Sequence, residues 1–230
     1  SGAGKSTLLH NIMRLVKPQS GRIVVHGVDI TDASEAEINE VRLRMGMAFQ
    51  YSALFDSMTV YDNVAFALRR RGAPDDEVRR RVAELLDVVD MTGTEHLMPA
   101  DLSGGMKKRV SVARALATQP DVVLYDEPTS GLDPVLAAAV DHLIAKLRDD
   151  VGISAIVVTH DVAHLFAYAD RAMMLYEARS SPPVRPTNCA AAATRWCGSS
   201  SRARLTAPSR CSLSRRSRAA SRRAGGLGEG

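Results

Sequence analysis

Four short runs carry side chains that could do chemistry. The first, Ser1-Gly2-Ala3-Gly4-Lys5-Ser6-Thr7, has the form G-x-x-x-x-G-K-[ST] without its first glycine. Backbone N–H groups can ring an anion only where side chains are small and φ is free, which Gly2 and Gly4 provide. Lys5 adds a point charge for phosphates, and the Ser6 hydroxyl a ligand for Mg2+. The helix expected over Thr7–Arg14 adds its positive N-terminus. Alone, the run also fits a Gly/Ser-rich end of chain before a helix. The second run, Val122-Val123-Leu124-Tyr125-Asp126-Glu127, is an apolar strand ending in two carboxylates. Asp126 suits a water-mediated metal contact, and Glu127 the polarising of an attacking water. Alone, the pair fits a solvated acidic strand end. The third run follows another apolar strand and reads Thr159-His160-Asp161; here His160 fits a phosphate sensor or an ordinary polar residue. The fourth, Leu102-Ser103-Gly104-Gly105-Met106, sets a hydroxyl and glycine amides at the start of a helix expected over Lys107–Thr118. That makes a second anion clamp, or by itself a plain helix cap. His10, His26, His96, His142 and His164 stand in no such context.

Holding these runs at one place requires an α/β architecture, and the pattern predicts one with a largely parallel sheet. Strands are expected at Arg22–Val25, Met45–Phe49, Val122–Tyr125, Ile153–Val158 and Arg171–Tyr176. The continuous apolar runs at Val122–Leu124 and Ala155–Val158 predict strands covered on both faces. Between Ser52 and Pro99 the spacing turns helical, over Val60–Arg70 and Asp75–Val89, which predicts a helical insert in the sheet.

Composition sets bounds. Of the formal net charge of +4, ten arginines against the single acid Glu229 place about +9 after residue 179, leaving the first 179 residues near −5. The body is therefore not read as a nucleic-acid binder. Cys189, Cys197 and Cys211 match no zinc spacing. No apolar run approaches the roughly 18 residues that span a bilayer, so a membrane role is expected to come through a partner.

The four runs, in their order along the chain, resemble the motif set of ABC transporter ATP-binding subunits, over about residues 1–177. Residue by residue, Gly2, Gly4, Lys5, Ser6 and Thr7 match the P-loop, with Ser1 beside them. Gln50 matches the Q-loop, Ser103, Gly104 and Gly105 the signature, Asp126 and Glu127 the acidic strand end, Asp133 the D-loop and His160 the switch histidine. The resemblance implies the ABC-type P-loop NTPase fold, with an ATPase domain over 1–178 and its helical subdomain at about 52–118. It implies ATP and Mg2+, with Ser6, Gln50 and Asp126 serving the metal. It also implies hydrolysis through Glu127, His160 and Gln50, and a head-to-tail pair of copies sandwiching ATP. A transmembrane permease would hold the pair on the cytoplasmic side of the inner (plasma) membrane.

The segment Phe49–Val64 and the run Gly104–Arg109 further resemble Mla/Mkl-type (Mce-associated) transporter ATPases. That resemblance implies phospholipid or another hydrophobic cargo and an Mce-type lipid-binding partner. The alternatives are a polar-solute importer of the amino-acid type, a non-transport ABC ATPase and an inactive fragment. Against the family pattern, the strands ahead of the P-loop are missing, which predicts poor solubility and weak ATP binding. Residues 179–230 read as a disordered basic tail, and a one-base frameshift near codons 176–178 restores a family-like hairpin on back-translation. The rival is a genuine basic tail for anionic lipid or nucleic acid.

Overall fold

The computed structural model describes residues 3–161, 165, 168–176 and 179–183. Ser1, Gly2 and residues 184–230, with the frameshift expectation they carry, lie outside the described residues.

Helix α1 (Lys5–Ile12) opens the fold and leads to a ribbon of β1 (Val24–Val25) and β2 (Val28–Asp29). Its turn is His26-Gly27, with φ of 51° and 82°, the doubly left-handed geometry that a tight hairpin needs. The strand expected over Arg22–Val25 is thus confined to two residues. Helix α2 (Glu35–Arg42) begins at a capping box: Ser34 caps the Glu37 amide, and the Glu37 carboxylate returns to the Ser34 N–H. Strand β3 (Met45–Ala48) follows. Helices α3 (Val60–Arg70) and α4 (Asp75–Val88) match the predicted spacing closely. Then come α5 (Gly104–Leu116), β4 (Val122–Asp126), α6 (Pro134–Lys146) and β5 (Ser154–Val158).

The sheet runs β3-β4-β5, all parallel. Alternation sends Met45, Met47, Leu124 and Val158 to one face, where Leu9 of α1 packs on them. The other face sends Val123 and Tyr125 into a larger core with Val110, Val112 and Leu116 of α5 and Val140 and Ile144 of α6. Gly46 allows this close approach, since a Cβ there would collide with the Ala115 carbonyl. The α3–α4 pair joins the same core through Val60, Val64, Val82 and Leu86.

Two strand expectations are corrected. The run Ala155–Val158 is not covered on both faces: Ala155 and Ile156 are exposed and only Val158 is buried. The reason is position, because β5 is the outer strand of the described sheet and the packing under α1 reaches Val158 but not Ile156. The strand expected over Arg171–Tyr176 is reduced to β6 (Leu175–Tyr176), which stays off the main sheet. It pairs antiparallel with β7 (Arg179–Ser180), so these two residues assigned to the tail are ordered by pairing.

Candidate functional site

The alternation that points Leu124 toward α1 also points Asp126, two residues on, the same way. Asp126 is 5% exposed, and its Oδ1 accepts a hydrogen bond from the Ser6 hydroxyl at 2.9 Å. Gly4 caps α1 with φ 87°, and nothing lies within 4 Å of where its Cβ would be. The result is an open cradle at a helix N-terminus, the shape an anion requires. Thr7, the next residue, is exposed.

Glu127 follows with φ 48°, left-handed and uncommon for a residue with a long side chain. Its N–H donates to Val158 O at 2.8 Å, and its carbonyl accepts from the Ser130 N–H at 3.2 Å. The turned backbone aims the carboxylate back over the cradle. Oε1 lies 3.7 Å from Lys5 Nζ, and Oε2 accepts a hydrogen bond from His160 Nδ1 at 2.6 Å. His160 comes off the end of β5 with its side chain 70% exposed, while the Glu127 side chain is 10% exposed. One inward carboxylate thus joins an ammonium and a solvent-facing imidazole.

Two groups thus lie side by side at the C-terminal edge of the sheet: Ser6 hydrogen-bonded to Asp126, and Lys5 and His160 meeting on the adjacent Glu127. Gln50 lies in the turn after β3, and its carbonyl accepts a hydrogen bond from Lys108 Nζ. Ser103 caps α5 by accepting from the Met106 N–H at 3.3 Å, and Gly104 and Gly105 form that helix's first turn. Asp133 caps α6, its Oδ1 accepting from Val135 and Leu136 N–H at 3.0 and 3.1 Å. Among the described residues no hydrogen bond or ion pair joins Ser103–Gly105 or Asp133 to the Lys5 cluster. Gly105 packs on Leu136 and Gly104 on Leu132, which ties the two helix starts to each other.

The donors fit a nucleotide-borne metal. Among the described residues no three His, Cys, Asp or Glu side chains converge on an ion. A hydroxyl and one carboxylate are instead set side by side, as suits Mg2+ taking most of its oxygens from phosphates and water. The Lys5 ammonium, now facing Glu127, is the charge that phosphates would draw on.

The sequence reading missed Lys108 and Arg114. Lys108 is 8% exposed, and burial lowers its pKa against the raising influence of Asp126 and Glu127. The available signal was its place in the stripe Gly105, Lys108, Val112 and Ala115, otherwise apolar or small. Arg114 donates to Ala53 O at 2.6 Å and lies over the Phe55 ring.

Fold and cluster together define a P-loop nucleotide-binding domain of the ATP-binding-cassette kind. The family model described as ABC transporter matches residues 1–130, and the chain belongs to that family. It is 48% identical over 179 residues to methionine import ATP-binding protein MetN 2 of Rhodococcus jostii, covering 78% of this chain and 53% of the relative. It is 44% identical over 175 residues to MetN 1 of Rhodopseudomonas palustris, covering 76% and 47%. The chain thus spans about half the length of these curated relatives. Among solved structures it is similar to the post-hydrolysis dimer of the cassette MJ0796 bound to ADP and Pi (TM-score 0.73, 32% identity, 80% of this chain and 82% of that one). It is also similar to cbiO1 of Clostridium perfringens (TM-score 0.77, 34% identity, 83% and 76%).

These relatives overturn the expectation of a lipid cargo and an Mce-type partner. Proteins 41–48% identical to the chain are named for methionine import, so they favour the polar-solute alternative. The Phe49–Val64 segment on which that expectation rested is in part held by the cassette itself. Asn63 holds the Phe55–Thr59 loop through hydrogen bonds to Phe55, Met58 and Thr59, while Tyr51 stands exposed.

Proposed function

We propose that the chain binds and hydrolyses ATP as the nucleotide-binding subunit of an importer for a polar solute of the amino-acid class. The observation that carries the ATPase part of this reading is the pairing of Ser6 with Asp126 beside that of Lys5 and His160 with Glu127 at the strand ends. In it, Lys5 and the amides around Gly4 hold phosphates, while Ser6 and Asp126, with Gln50, serve Mg2+. Bound Mg2+ would neutralise phosphate charge during transfer. Glu127 accepts a proton from the attacking water, and His160, bonded to its other oxygen, keeps the carboxylate aimed and meets the terminal phosphate. Ser1, Gly2 and Thr7 belong to the same phosphate loop.

Ser103, Gly104, Gly105 and Asp133 serve a second copy in this reading. No hydrogen bond or ion pair among the described residues joins them to Lys5 or Glu127, and the similar MJ0796 structure is a dimer bound to ADP and Pi. A transmembrane permease would complete the machine at the cytoplasmic face, a reading supported by the family match and the importer names of the relatives. The names of the relatives support methionine within the solute class. Rescue of methionine uptake in cells lacking their own importer ATPase tests the cargo.

The site is tested by Glu127→Gln, which keeps the shape of the side chain but exchanges one acceptor oxygen for a donor and cannot take a proton. It should bind Mg·ATP like the parent and lose turnover by about 100-fold or more. Unchanged hydrolysis would refute the role of Glu127.

A further inference from the structure

Burying an ammonium is costly unless acceptors replace its water. For Lys108 the replacements are two main-chain carbonyls: Gln50 O, in the turn after β3, and Glu127 O, at 3.4 Å, in the turn after β4. Both turns carry strain. Glu127 has φ 48°, and Ser52 and Ala53, just past Gln50, have φ of 62° and 46°. Non-glycine residues hold such angles only where their surroundings over-determine them. Helix α5 does this twice for the Gln50 loop, with Lys108 at its start and Arg114 on Ala53 O at its end. It does so once for Glu127, again through Lys108.

We propose that Lys108 is a positioning residue whose ammonium straps the Gln50 carbonyl to the Glu127 carbonyl, so that displacement of the Gln50 loop is passed to the main chain of Glu127. The catalytic consequence rests on the ATPase reading above; the strap itself is a property of the fold. A neutral side chain of similar length fills the volume but cannot hold two acceptors. Methionine donates nothing, whereas the fork of an arginine reaches both.

Hydrogen exchange on the whole chain tests this, comparing the parent with Lys108→Met and Lys108→Arg. The reporters are the amides of Ser52 and Ala53 in one loop and of Glu127 and Ser130 in the other, all hydrogen-bonded in the structure. In Lys108→Met, exchange should rise about tenfold in both loops together, with α3 and α4 unchanged, and Lys108→Arg should restore both. Loosening of one loop alone, of neither, or of the whole chain uniformly overturns the strap. If Lys108→Met does not fold, the arginine variant decides, because parent-like exchange in both loops is required of it. In ATP turnover, Lys108→Met should lower kcat and leave KM within about twofold. Absence of turnover in the parent would count against the ATPase reading alone, since the exchange result stands without it.

Discussion

Gly46→Ala adds one methyl at the point where β3 meets α5. That carbon would sit well inside contact distance of the Ala115 carbonyl oxygen, 3.1 Å from the Ala115 carbonyl carbon and 3.2 Å from Val123 Cγ2. A C···O contact settles at about 3.3 Å or more, so the helix and strand must part by on the order of 1 Å. The obstacle is helix backbone, which cannot rotate away, and its other neighbours Val112, Ala113 and Leu116 are buried in the core. Overpacking of this kind costs about 1–3 kcal/mol, and a backbone neighbour puts this site at the upper end. For a domain of this size each kcal/mol moves Tm by roughly 2–4 °C, which predicts a loss of about 6–12 °C. Thermal unfolding followed by far-UV circular dichroism, with urea unfolding beside it, reads the effect. Gly105→Ala is the comparator: its methyl meets only the Leu136 side chain, at 3.2–3.3 Å, and that side chain can turn. A Gly46→Ala melt within 2 °C of the parent, or a larger loss in Gly105→Ala, would refute the packing argument.

Acid should act on α3 through Asp62, whose pKa is lowered first by the Thr59 hydroxyl and then by Arg69. A depressed folded-state pKa contributes stability that is present above the unfolded value and lost as pH falls through the folded one. The parent should therefore lose stability below about pH 4, and Asp62→Asn should flatten that part of the profile. Because the carboxylate is 37% exposed, the difference should stay within about 1 kcal/mol. Asn63→Ala should be harsher. The amide is fully buried and bonded to Phe55, Met58 and Thr59, so stranding those groups should cost about 3 kcal/mol in urea unfolding.

Much of the fold was legible because its signals are local. The spacing of Val60, Val64 and Leu68 specifies α3. The Gly4–Ser6 run, the paired carboxylates and His160 stood out by residue type and by their place at helix and strand ends. What lay beyond sequence was coverage and grip. An apolar run such as Ala155–Val158 reads alike whether neighbours cover it or not, and only the strand order made β5 an outer strand. Cargo was likewise illegible, because no run in the sequence has residue types and spacing that select a solute.

By itself the sequence singled out the side chains proposed to meet phosphate, metal and water, since those choices depend on residue type and near-neighbour spacing. Only the tertiary structure decided that the Lys5 ammonium and the His160 imidazole meet on Glu127, and that Lys108 joins the two turns. Hydrogen bonds between residues distant in the chain are set by strand register and helix packing, and no local pattern carries them.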